Sequence, residues 1–190
     1  MLRNISISDR DMKSGKWIKH TGYLLSGKTV GIIGLGRIGK NTALKYKNLG
    51  CKIFAFDVFP DTNWSKLNSI NLVQLDELLS YSDIISIHVP GVPNGESLIN
   101  IKELNLLKSE CFVINLSRGG VVNERDLFNF LVLNQNIQFA LDVFENEPYS
   151  GDLLNFKNIT FTPHIGTYTK ESKNLMEMEA VKNLINYINS

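Results

Sequence analysis

Three residues whose types can together hold a carboxylate and move a proton lie in the second half of the chain: Arg118 in SRGG, Glu147 in FENEP and His164 in TPHIG. Arginine presents a planar fork of donors that matches a carboxylate. Imidazole changes charge near neutral pH, so it can give a proton to a carbonyl oxygen or take one away. A carboxylate beside the ring steadies the protonated form and selects the tautomer. The set would bind an oxo acid by its carboxylate and exchange a proton at its carbonyl oxygen. Each residue also has a plainer reading: Arg118 as a locally paired loop cation, His164 as a turn cap, and Glu147 with its neighbour Glu145 as solvated turn acids. What favours the joint reading is placement, because all three follow apolar segments of strand length.

Those segments must be held in one plane, and the stretch that organises them is VGIIGLGRIG over 30–39. A short β-branched run turns at glycine and continues into a helix-competent segment. In G-x-G-x-x-G, Gly34 allows the tight turn, Gly36 lets a pyrophosphate approach the backbone, and Gly39 lets helix and strand pack closely. The amides at the helix start would face the anion. A second apolar run, 52–56, ends at Asp57, about twenty residues on, where a carboxylate can accept hydrogen bonds from an adenosine ribose. Val58, Phe59 and Pro60 follow it, so no arginine stands ready for a 2′-phosphate, and the expected cofactor is NAD rather than NADP.

The remaining pattern alternates strand with helix, which implies an α/β fold with a doubly wound, mainly parallel sheet. Strands are expected at 84–89, 112–116, 139–143 and 159–161, with helices at 75–81, 100–108, 124–133 and 170–188. Residues 1–20 read as a linker or interdomain helix ending near Gly15, residues 21–170 as the dinucleotide-binding unit, and residues 171–190 as a closing helix. That last helix carries Leu175, Met178, Val181, Leu184, Ile185 and Ile188 at helical spacing, a face to pack on the unit or on a partner.

At 190 residues and a formal charge of +1, the composition offers no strong field to attract nucleic acid or a membrane surface. The apolar runs are strand-sized and no apolar core follows Met1, so a cytoplasmic location is expected. Cys51 and Cys111 sit at strand starts without metal-ligand spacing and read as core residues, so no metal is expected. His20 reads as a solvated loop residue with nothing to pair with it, and His88 as lining the cofactor cleft.

The segments GIIGLGRIGK, HVP, INLSRGGVV, ALDVFENEP and TPHIG, in this order, resemble the D-isomer-specific 2-hydroxyacid dehydrogenases. The likeness runs from about the helix ending in SGKW to the closing helix AVKNLINYI. It implies an NAD-dependent oxidoreductase acting on a small 2-hydroxy or 2-oxo acid, with Arg118 binding substrate, His164 as acid/base and Glu147 as its partner. By the same likeness Arg37 and Ile38 meet the pyrophosphate and Asp57 the ribose. Val89, Leu116, Ser117, Arg118, Asp142 and His164 to Gly166 would meet the nicotinamide half and the phosphates.

Two departures stand out. Gly95 replaces a threonine of the family, in the loop after His88. Family members also carry an N-terminal substrate domain and a C-terminal segment returning to it, both expected to be essentially absent here. The chain would then be the cofactor domain, poorly active alone, and its exposed helices would favour a homodimer or a partner chain. The alternative is a non-catalytic NAD(H)-binding module that senses the cofactor or binds another protein. A methyltransferase on the same fold has no use for the Arg, Glu and His set.

Overall fold

A computed structural model describes residues 1–91 and 96–188. Seven strands form one sheet in the order β3-β2-β1-β4-β5-β6-β7, with every pairing parallel. They are β1 (Thr29–Ile33), β2 (Lys52–Phe56), β3 (Asn71–Leu72), β4 (Ile84–Ile87), β5 (Phe112–Asn115), β6 (Gln138–Leu141) and β7 (Ile159–Phe161). The helices are α1 (Ile5–Lys13), α2 (Arg37–Asn48), α3 (Thr62–Leu67), α4 (Leu75–Tyr81), α5 (Ile101–Leu104), α6 (Glu124–Leu133) and α7 (Lys170–Ile188). The chain moves outward from β1 to β3, then returns to the other side of β1 at β4. This reversal opens a crevice beyond the carboxyl ends of β1 and β4, where open α/β sheets take their ligands.

Strands covered on both faces read as continuous apolar runs, and β1 and β4 are of that kind. Val30 and Ile32 pack with Ala43, Ile53 and Ala55 on one face. Ile33, Ile85 and Ile87 pack with Leu78, Val113 and Phe139 on the other. At Gly31 the side of β1 is bare because a Cβ there would lie 2.4 Å from Leu78 Cδ2. Any larger residue would push α4 off the sheet.

The structure corrects several expectations. The helix expected over 100–108 is only α5, started by a capping box between Asn100 and Glu103. It then tightens as Leu106 and Leu107 donate to the carbonyls of Glu103 and Leu104. β4 stops at Ile87, two residues early. α3, capped by Asp61, and the short edge strand β3 were not anticipated. His20 is not solitary: its Nε2 lies 2.7 Å from Asp11 Oδ2, tying the end of α1 to the approach to β1. Cys51 and Cys111 are buried and free, as expected. α7 buries none of its residues, and Leu175, Met178, Val181, Leu184, Ile185 and Ile188 are all exposed. No helix among the described residues is long and apolar enough to cross a membrane.

Candidate active site at the carboxyl edge of the sheet

The glycine turn has the form that its three glycines require. Gly34 adopts φ +93°, and a Cβ there would sit 2.8 Å from the His88 carbonyl oxygen. A Cβ on Gly39 would lie 1.9 Å from Gly34 O, so α2 rests directly on the turn. Around Gly36, by contrast, an added Cβ meets no protein atom within 4 Å. Gly36, Arg37 and Ile38 are exposed, while Gly34, Leu35 and Gly39 are buried. The open space lies where a diphosphate would approach the start of α2, and the residues present fit such a group.

Asp57 closes the other side of the turn. Its Oδ2 accepts the Leu35 amide at 2.6 Å and its Oδ1 the Phe59 amide at 2.8 Å. Beyond it lies a cavity of ≈ 410 Å³ lined by Ala55, Asp57, Val58, Pro60 and Gln74 among others. Val89 packs at the same crossing, its Cγ1 3.1 Å from the position of a Gly34 Cβ. Gly95 and the rest of 92–95 lie outside the described residues.

The loops after β4, β5, β6 and β7 touch in series along the rim. Gly91 faces the Arg118 side chain, with 3.7 Å from its ideal Cβ to Arg118 Cγ. Arg118 is exposed, and its guanidinium donates to the Ser117 carbonyl. Gly119 lies so close to the β6 loop that a Cβ would fall 1.8 Å from Phe144 O. Three residues on, Glu147 Oε1 accepts the Phe144 amide at 3.0 Å while its Oε2 lies 2.8 Å from His164 Nδ1. The His164 hydrogen bond first, and then the Phe144 amide, hold the Glu147 carboxyl below its ordinary range. With a carboxylate on Nδ1, that nitrogen carries the proton and Nε2 is left for another oxygen. His164 itself sits at φ +50°, a left-handed conformation unusual for a residue with a side chain.

The buried carboxylate of Asp142 sustains that turn. The residue is 2% exposed, and its Oδ1 accepts the Thr162 hydroxyl and the Ile165 amide while its Oδ2 accepts the Gly166 amide at 3.1 Å. A buried carboxylate needs such donors to remain charged. Together they fix the chain on both sides of His164.

The family model described as D-isomer specific 2-hydroxyacid dehydrogenase, NAD binding domain, matches residues 1–166. The chain belongs to this family. D-3-phosphoglycerate dehydrogenase of Archaeoglobus fulgidus is 37% identical over 188 residues, covering 97% of the chain and 36% of that protein. Glyoxylate reductase of Thermococcus litoralis is also 37% identical, covering 97% of the chain and 59% of that protein. Among solved structures, D-lactate dehydrogenase of Aquifex aeolicus, complexed with NAD and lactic acid, aligns with a TM-score of 0.88 and 28% identity. It matches over 99% of this chain and 62% of its own. The chain thus spans between about a third and three fifths of these relatives.

For a 2-hydroxyacid dehydrogenase domain, the positions expected to bind or react fall on one edge. Gly34, Gly36, Arg37, Ile38, Gly39, Asp57 and Val89 belong to the glycine turn, the start of α2 and the chain just after β2 and β4, with Gly34 and Gly39 buried, and Leu116, Ser117, Arg118, Asp142, Glu147, His164 and Gly166 follow along the rim. Leu116 is 53% exposed although it follows a buried strand. Sequence reasoning passed over Asn115, 2% exposed, whose Oδ1 accepts the amide and hydroxyl of Ser117 while its Nδ2 donates to the Arg118 carbonyl. The signal was an asparagine ending a strand just before Ser-Arg-Gly, the setting of an Asx turn. His88 is partnered by Ser86, with Oγ to Nε2 at 2.9 Å, and burial pushes its pKa down.

Proposed function

We propose that this chain supplies the cofactor half of an NAD-dependent oxidoreductase that interconverts a small D-2-hydroxy acid and its 2-oxo acid. The observation that carries the reading is the His164–Glu147 pair, held on the same rim as Arg118 and the open glycine turn. The α2 amides and Gly36 would hold the diphosphate, and Asp57 the adenosine ribose. When bound, NAD(H) supplies the acceptor or donor of hydride. Arg118 holds the substrate carboxylate in place by two parallel hydrogen bonds. His164 presents Nε2 to the oxygen on the adjacent carbon, giving a proton during reduction and taking one during oxidation. Glu147 keeps the ring oriented and balances its charge when both nitrogens carry protons.

Water exclusion in such chemistry comes from closing the cleft. A chain of this extent, on this reading, binds NAD(H) but turns over 2-oxo acids poorly or not at all by itself. The exposed apolar faces of α1 and α7 suit a homodimer or a partner chain, and a cytoplasmic setting fits the cofactor. The test is calorimetric: titrate the chain with NADH, then titrate the loaded chain with oxamate, an unreactive 2-oxo acid analogue. One NADH should bind per chain, and Arg118→Ala should abolish the oxamate response of the NADH-saturated chain. Family-level turnover by the purified chain with no other polypeptide present would refute the dependence on a second lobe.

A further inference from the structure

Glu124 opens α6 and Glu145 stands in the β6 loop, 21 residues apart, yet each side chain receives the other's backbone. The Glu145 amide donates to Glu124 Oε1 at 2.7 Å, and the Glu124 amide donates to Glu145 Oε1 at 3.1 Å. Two like charges are thereby held side by side, an arrangement that needs the paired amides to offset it. Burial and the neighbouring Glu145 push the Glu124 carboxyl up, and the Glu145 amide works against them. Beside the clasp, Gly119 presses on Phe144 O, and Gly120, at φ +75°, brings Glu145 Cγ within 3.9 Å of its ideal Cβ. Arg118 directly precedes this seam on one side, and the Phe144 amide on the other binds Glu147.

We infer that Glu124 and Glu145 are positioning residues whose reciprocal bonds set the spacing between the Arg118 guanidinium and the His164 imidazole, so that both reach one 2-oxo acid. A 2-oxo acid carries its carboxylate on the carbonyl carbon itself, so the carbons that bear the two points of contact are joined by a single bond. A guanidinium that drifts by an ångström can still hold the carboxylate, but the carbonyl oxygen then misses the ring. The clasp works on registration between loops, whereas neither glutamate touches the glycine turn. This inference rests on the function proposed above.

The test uses the NADH-loaded chain with oxamate as probe, followed by NMR at the Arg118 Nε–Hε and His164 Cε1–Hε1 signals. In the wild type both signals should shift with one common midpoint. Glu124→Ala and Glu145→Ala should bind NADH within about twofold of wild type, while the His164 response is lost or its midpoint moves roughly tenfold or more, the scale on which misplacement acts. Glu124→Gln retains the Oε1 acceptor and should restore the common midpoint, which a merely structural defect would not predict. Alanine variants that titrate like the wild type would overturn the clasp alone. A wild type in which Arg118 and His164 fail to respond together would overturn the reading of the site and the clasp with it.

Discussion

His164 Nδ1 lies 2.8 Å from Glu147 Oε2, and the other oxygen of that carboxylate accepts the Phe144 amide at 3.0 Å. The pair fixes which nitrogen of His164 faces the cleft. Glu147→Gln keeps the shape but can no longer balance a doubly protonated ring. Nitrogen-15 NMR of the imidazole should show the wild type protonated at Nδ1 at neutral pH and the variant as a mixture of tautomers. An unchanged Nδ1 population in the variant would place control of the ring elsewhere.

The same carboxylate makes stability depend on acid. Its folded pKa is depressed, by the His164 hydrogen bond first and the Phe144 amide second. The contribution is therefore complete above the unfolded carboxylate value of about 4.3 and is lost as pH falls through the lower folded value. Melting temperatures of the wild type should drop more steeply on acidification below about pH 4 than those of Glu147→Gln, since only the wild type carries this carboxylate. Parallel acid limbs would show that the pair contributes no linkage.

Two glycines of one turn should fail in opposite ways. Gly39→Ala puts a methyl 1.9 Å from Gly34 O, so backbone must move, and a loss of about 2–4 kcal/mol in denaturant unfolding is expected. Gly36→Ala meets no protein atom and sits at φ −67°, ψ −168°, which alanine accepts. Its unfolding should match the wild type, while NADH affinity falls by roughly tenfold or more because the methyl enters the space a diphosphate needs. Unaltered NADH binding by Gly36→Ala would remove the diphosphate from the start of α2.

Asp142→Asn turns an amide nitrogen toward donors that Asp142 now accepts. The buried mismatch should cost about 1–3 kcal/mol. Hydrogen exchange at Ile165 and Gly166 should quicken more than at strand amides such as Ile85. Uniform change across the sheet would mean that Asp142 supports the fold at large rather than the His164 turn.

The exposed face of α7 should drive association. Leu175→Glu with Leu184→Glu should shift sedimentation of the chain toward monomer, because both side chains are more than half exposed. A wild type that is monomeric at every concentration would count against the assembly.

Much of this architecture was readable in residue order because its causes are local. β1 and β4 are apolar but for Thr29 and Ser86 since helices cover both faces, and the glycine turn requires conformations that other residues resist. His164, Glu147 and Arg118 were findable because each follows such a strand. What stayed hidden depends on partners distant in sequence. His20 meets Asp11 only after α1 turns back, Glu145 meets Glu124 across two loops, and the Asp142 carboxylate holds Thr162, Ile165 and Gly166 from twenty or more residues away. α5 was overestimated because Leu104 and Leu107 are apolar at helical spacing, yet a four-residue helix already buries Leu104 completely.

All seven strands point one way, so each loop of the rim is separated from the next by a full crossover and none is tethered directly to its neighbour. The spacing of the strand ends is consequently inherited from the backbone ladder, and the lengths of the return turns at the opposite end have little hold over it. The exposed Gln135 and Asn136, in the bend at that far end, are thus a natural place to graft a tag, a fluorophore or a second protein while the candidate site faces the other way.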